Sequence, residues 1–73
     1  MSPALPIVSG RDVIRALGKV GFVEVSQRGS HVKLRDSAGK TVIVPLHREL
    51  ARGTLRSILR QADLTVDAFL ELL

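Results

Sequence analysis

FVEVSQRGSHVKLRDSAGKTVIVP, residues 22–45, decides the fold, because its apolar residues recur at period two between two glycine-bearing breaks. Val23 and Val25 alternate with Glu24, Ser26 and Arg28, and Val32 and Leu34 alternate with His31, Lys33 and Arg35. Gly29 and Ser30 between them have the composition of a tight hairpin turn, with glycine able to supply a positive φ. DSAGK, residues 36–40, reads as a second turn, and TVIVP, 41–45, as a third strand closed by Pro45, which lacks a ladder donor. The stretch therefore predicts a three-stranded antiparallel meander. Its apolar set, Val23 and Val25 included, is expected on one covered face, leaving His31, Lys33 and Arg35 to share the opposite face of their strand.

A sheet that buries one face needs a second layer, and the flanking segments carry helical periodicity. Ser9 begins SGRD, an N-cap with Asp12 three residues on, followed by Val13, Ile14, Leu17 and Val20 as an apolar stripe; Gly21 is the expected stop, with a loose last turn after Gly18. After LHRELARG, Thr54 is expected to cap a helix carrying Leu55, Ile58, Leu59 and Ala62. Asp63 and Leu64 break that pattern, and Thr65 can cap a short final helix with Val66, Phe69, Leu70 and Leu73. Pro3 and Pro6 make residues 1–8 an extended lead-in. The expected whole is one domain over 1–73, a two-layer α+β arrangement of order α-β-β-β-α with an additional short C-terminal helix.

The 73 residues contain no cysteine, which excludes disulfides and thiolate metal sites, and the other candidate ligands do not fall into zinc or calcium spacings. No metal or other cofactor is expected. Neither a signal-peptide pattern nor a segment of membrane-spanning length is present, so the expectation is a soluble cytoplasmic protein without membrane contact. All eleven Lys and Arg lie at or before Arg60 beside four acids, whereas three acids and no base follow. A basic body with an acidic tail points to a polyanionic partner. Phe22 and Phe69 are the whole aromatic content, so any nucleic-acid contact rests on charge and hydrogen bonds more than on an aromatic platform.

Two histidines are the candidate acid/base groups. His31, read plainly, is a half-exposed strand residue; read functionally, it exchanges a proton with a ribose 2′-hydroxyl or a leaving oxygen while Arg28, Lys33 and Arg35 hold the phosphate. Gly29 then lets an RNA backbone approach, and Ser30 can donate a hydrogen bond. His47 is either a loop residue supporting the next helix or a second acid/base or phosphate group. Arg52, Arg56 and Arg60 repeat every four residues, as a solvated helix face or a phosphate-tracking surface. Spacing alone leaves these alternatives open.

Taken together, SGRDVIRALGKVGFVEVSQRGSHVKLR (9–35) and VIVPLHRELARGTLRSILRQADLTVDAFL (42–70) resemble the HicA (YcfA-like) toxins of HicA–HicB toxin–antitoxin systems. The specific pieces are Gly29-Ser30-His31, Pro45-Leu46-His47, and Gly53-Thr54-Leu55 leading into Ile58-Leu59. The resemblance implies a double-stranded-RNA-binding-domain-like fold and a metal-independent mRNA interferase whose essential histidine is His31. It further implies a HicB-type antitoxin that blocks the active face, with operator DNA contacted only through that antitoxin. The long second helix departs from double-stranded-RNA binders, opening with Arg52 and Arg56 where those carry a lysine cluster. A non-catalytic RNA-binding module and a pure protein-interaction domain are the alternative readings.

Overall fold

The computed structural model describes residues 4–73. Helix α1 (Gly10–Gly18) leads into a sheet of β1 (Val23–Arg28), β2 (His31–Arg35) and β3 (Thr41–Pro45), followed by α2 (Arg52–Ala62) and α3 (Val66–Leu72). The strands are antiparallel in the order β1-β2-β3. Both turns form as their residues dictate. Gly29 alone in the 29–30 turn has a positive φ, 58°, the pattern of a turn with glycine at its first central position. In the second turn the Asp36 carboxylate accepts from the Ala38 and Lys40 N–H groups at 3.1 and 2.8 Å.

The core lies between the sheet and the helices. Val32, Leu34, Val42 and Val44 turn inward against Val13, Ala16 and Leu17 of α1 and Leu55, Ile58, Leu59 and Ala62 of α2, with Phe22 and Phe69 buried among them. The three helices share that layer: α2 and α1 lie against β3, and α3 packs on α1. The Lys19 ammonium then closes the end of α3, donating to the Leu72 carbonyl at 2.7 Å. Along the far edge of β3 the Gln61 side-chain oxygen accepts the Ile43 N–H at 3.3 Å, satisfying a donor the ladder leaves open.

Ser9 caps α1 as expected, within a reciprocal box: the Asp12 N–H donates to the Ser9 hydroxyl at 3.0 Å and the Ser9 N–H to the Asp12 carboxylate at 3.1 Å. That second bond, above all, holds the Asp12 carboxyl below its usual pKa. Thr65 likewise caps α3, accepting from the Ala68 N–H at 3.1 Å. Past Gly18 the chain tightens into i→i−3 bonds up to Gly21, whose φ is 96°, and α2 ends at Asp63 in the left-handed region.

Four expectations are corrected. Thr54 does not cap α2; the helix starts at Arg52 behind an extended Ala51 with no side-chain cap. Tertiary anchoring sets that start: Leu50 is buried and its N–H donates to the Val8 carbonyl at 2.9 Å. The end of the lead-in is thereby tied to the body, and Val8 joins the core. Pro3, assigned to the lead-in, lies outside the described residues.

Val20 falls beyond the helical stretch and is exposed. On α3, Phe69 is buried but Leu70 and Leu73 face solvent, while Leu72 packs on the core. The largest departure is β1. Every residue of it is exposed, with Val23 at 60% and Val25 at 46%. The helices concentrate on β3 and leave β1 at the uncovered side of the sheet, and a register shift between Glu24 and Ser26 breaks its alternation.

Candidate functional site

Residues directly opposite in an antiparallel ladder share a face, so the register sorts the open side of the sheet into rows. One row runs Arg28, His31, Pro45 and the next Ser26, Lys33, Ile43; beyond them lie Val23, Arg35 and Thr41. Strands lie about 4.8 Å apart and rows two residues, roughly 6.7 Å, apart along them. Arg28, His31, Lys33, Ser26 and Ile43 together line a shallow cleft of about 300 Å³. The imidazole of His31 is exposed, with one cation beside it in its own row and another on its own strand.

Local structure holds this arrangement. The two-residue turn makes Arg28 and His31 the pair that closes the hairpin. The Gln27 amide donates to the Gly29 carbonyl at 3.0 Å, and the Leu46 N–H donates to the Ser30 carbonyl at 2.7 Å, tying the turn to the end of β3. Ser30 thus serves the site through its backbone. His31 enters β2 at a point fixed from both sides.

The candidate residues separate into groups. Arg28, Lys33 and His31 come together in the cleft. Arg35 lies on the same face one row away, where its Nε donates to the Thr41 hydroxyl at 3.2 Å, and it lines an adjoining hollow with Val23, Val25 and Asp36. Arg52 and Arg56 are exposed on α2, in the helix layer; Arg52 borders a different hollow, with Leu5, Pro6 and Ile7. His47 is exposed and follows the segment beside the turn, and its backbone carbonyl accepts the Gly10 N–H at 2.9 Å, supporting the start of α1. Ser26 and Ile43 line the cleft without having been singled out in the sequence. Ile43 is signalled by strand parity, alternating away from Val42 and Val44, whereas Ser26 is brought in by its register opposite Lys33.

Two comparisons agree with this architecture. A family described as the HicA toxin of bacterial toxin–antitoxin systems matches residues 10–64. The chain belongs to the HicA toxin family. In this HicA-family chain the match runs from the start of α1, through the whole sheet and α2, to Leu64. A solved toxin–antitoxin complex from Streptococcus pneumoniae contains a chain 28% identical to it, superposing with a TM-score of 0.69 over 78% of this chain and 98% of that one. Curated proteins gave no significant match. The α-β-β-β-α order with a further short helix is the one the sequence periodicities predict. No helix among the described residues is long and apolar enough to cross a membrane.

Proposed function

We propose that this HicA-family chain is a metal-independent endoribonuclease that cleaves mRNA at the open face of its sheet, with His31 as the acid/base group. The observation that carries the reading is the exposed imidazole of His31 in one cleft with Arg28 and Lys33. The ribose 2′-oxygen attacks its adjacent phosphorus, a P–O2′ bond forms and the P–O5′ bond breaks, leaving a 2′,3′-cyclic phosphate and a 5′-hydroxyl. His31 either takes the 2′-hydroxyl proton or gives one to the departing 5′-oxygen, because histidine exchanges protons near neutral pH. Arg28 and Lys33 stabilise the charge that accumulates on the phosphorus oxygens. Arg35 extends the cationic track along the sheet, while Arg52 and Arg56 serve RNA held across the helix layer.

In the same reading a HicB-type antitoxin neutralises the toxin by covering the His31 face, and operator DNA is reached only through that antitoxin. A cationic, open sheet face suits an acidic protein surface, and the Streptococcus relative comes from a toxin–antitoxin complex.

Cleavage of a defined RNA in the presence of a chelator tests the proposal. Wild type is expected to cut and leave cyclic phosphate ends, whereas His31→Ala loses about 10²-fold or more while keeping its circular dichroism spectrum. Cutting at a 2′-deoxy position overturns the mechanism. Equal RNA binding by both proteins with no cutting by either supports the non-catalytic RNA-binding module instead.

A further inference from the structure

The proposed chemistry uses the row Arg28–His31 and leaves the neighbouring row, Ser26–Lys33–Ile43, without an assigned task beyond the Lys33 charge. Ile43 is 37% exposed on the edge strand β3, in the row of Ser26 and Lys33, next to the row of Arg28 and His31. A single exposed aliphatic residue needs no explanation by itself. Ile43 differs because it forms one wall of the His31 cleft, and because its backbone is pinned at the sheet edge by the Gln61 side chain at 3.3 Å. Phe22 and Phe69 are both buried in the core, so any apolar surface offered to a ligand on this face is aliphatic.

We infer that Ser26 and Ile43 form a base-holding subsite for the nucleotide whose phosphate lies at Arg28 and His31, Ile43 receiving the face of the ring and the Ser26 hydroxyl bonding its edge. The assignment rests on the ribonucleotide reading of the same cleft. Row spacing supports it: roughly 6.7 Å along the strands is comparable with the separation of a nucleotide's phosphate from its own base. The cleft, about 300 Å³, also has room for one nucleotide. Lys33 stands between Ser26 and Ile43 and on the strand of His31, where its ammonium reaches the phosphate while its stem lines the base seat. The subsite would thus turn a charge-driven contact, blind to sequence, into one that senses the base.

A matched pair of probes separates the two halves of the cleft. Adenosine 5′-monophosphate and ribose 5-phosphate share sugar and phosphate and differ in the base, and each is titrated by NMR into wild type, Ile43→Thr and Ser26→Ala. Wild type is expected to bind the nucleotide at least five-fold more tightly, with shifts at the amides of Ser26, Lys33 and Ile43 that ribose phosphate does not produce. Ile43→Thr, which keeps a β-branched residue in the strand, brings the affinity ratio close to one, and Ser26→Ala lowers it in part. Equal affinities in wild type, or a ratio that Ile43→Thr leaves untouched, overturn the subsite. Loss of antitoxin binding in Ile43→Thr with an unchanged ratio does so too, and assigns Ile43 to a protein contact. None of these titrations requires turnover, so a failure of the ribonuclease reading, seen as absent cleavage, stays distinguishable from a failure of the subsite.

Discussion

The Pro45 carbonyl occupies the space where a side chain on Gly10 would stand: a Cβ built on Gly10 collides with that backbone oxygen. The first residue of α1 and the last of β3 are therefore in direct backbone contact, reinforced by the bond from the Gly10 N–H to the His47 carbonyl. Gly10→Ala has to displace main chain, which yields far less than a side-chain tip. We expect it to lose roughly 3 kcal/mol, the upper end of overpacking costs, as a lower midpoint in urea. An unchanged midpoint would show that the two segments move apart freely.

Glycines elsewhere make the opposite case. A Cβ on Gly53 meets nothing within 4 Å, and the residue sits in the first turn of α2. Gly53→Ala is expected to stabilise the fold by up to about 1 kcal/mol, read as a melting temperature several degrees higher. Gly29→Ala also meets open space, but φ of 58° puts it in the left-handed region, and the expected outcome is a loss of about 1 kcal/mol. The pair separates space from backbone conformation as the cause.

RNA affinity should fall with salt in proportion to the phosphates held. For single strands the slope of log K against log salt changes by about 0.7 per contact. Arg28→Ala and Lys33→Ala are each expected to flatten it by about that amount. Fluorescence anisotropy with a short labelled RNA measures this. If both variants keep the wild-type slope, phosphate is not bound at this cleft.

Removing apolar surface from β1 should matter little, because Val23 and Val25 already face solvent. Val25→Thr is expected to change stability by less than about 0.5 kcal/mol, whereas Leu34→Ala, on the covered side of β2, costs about 2–5 kcal/mol. Chemical denaturation of the two compares them directly. A large loss from Val25→Thr would mean that β1 is covered in solution.

The capping box makes part of the stability pH-dependent. The Asp12 carboxyl sits below its usual pKa in the folded chain, chiefly through the Ser9 N–H, so its contribution is present above the unfolded value, near 3.9, and disappears as pH falls through the folded one. The stability gap between wild type and Asp12→Asn should be constant above about pH 5 and shrink below about pH 4. Melting temperatures across that window check the sign. A gap that widens on acidification contradicts it.

Much of this was legible in the residues. Period-two and helical alternation, the Gly29 and Asp36 turns, and the Ser9 and Thr65 caps are interactions among neighbours in the chain, so composition and spacing carry them. His31, Lys33 and Arg35 share a face because a strand alternates, whatever it packs against. Where the alternation needs a partner layer to give it meaning, the reading failed: Val23 and Val25 have the pattern of buried residues, yet the helices concentrate on β3 and leave β1 uncovered. Thr54 has the chemistry of a cap, yet Leu50 anchored to Val8 starts the helix two residues earlier than Thr54.

By itself, then, the sequence determined the elements, their order and the candidacy of His31, since each depends on local periodicity or on the chain's resemblance to one family. Only the tertiary structure decided which residues of the other strands and helices stand with that histidine. Arg28 joins it through ladder register, Ser26 and Ile43 complete the cleft from the two neighbouring strands, and Arg52 and Arg56 go to the other layer. Register and layer assignment arise from contacts between segments distant in the chain, and a spacing rule along one segment has no access to them.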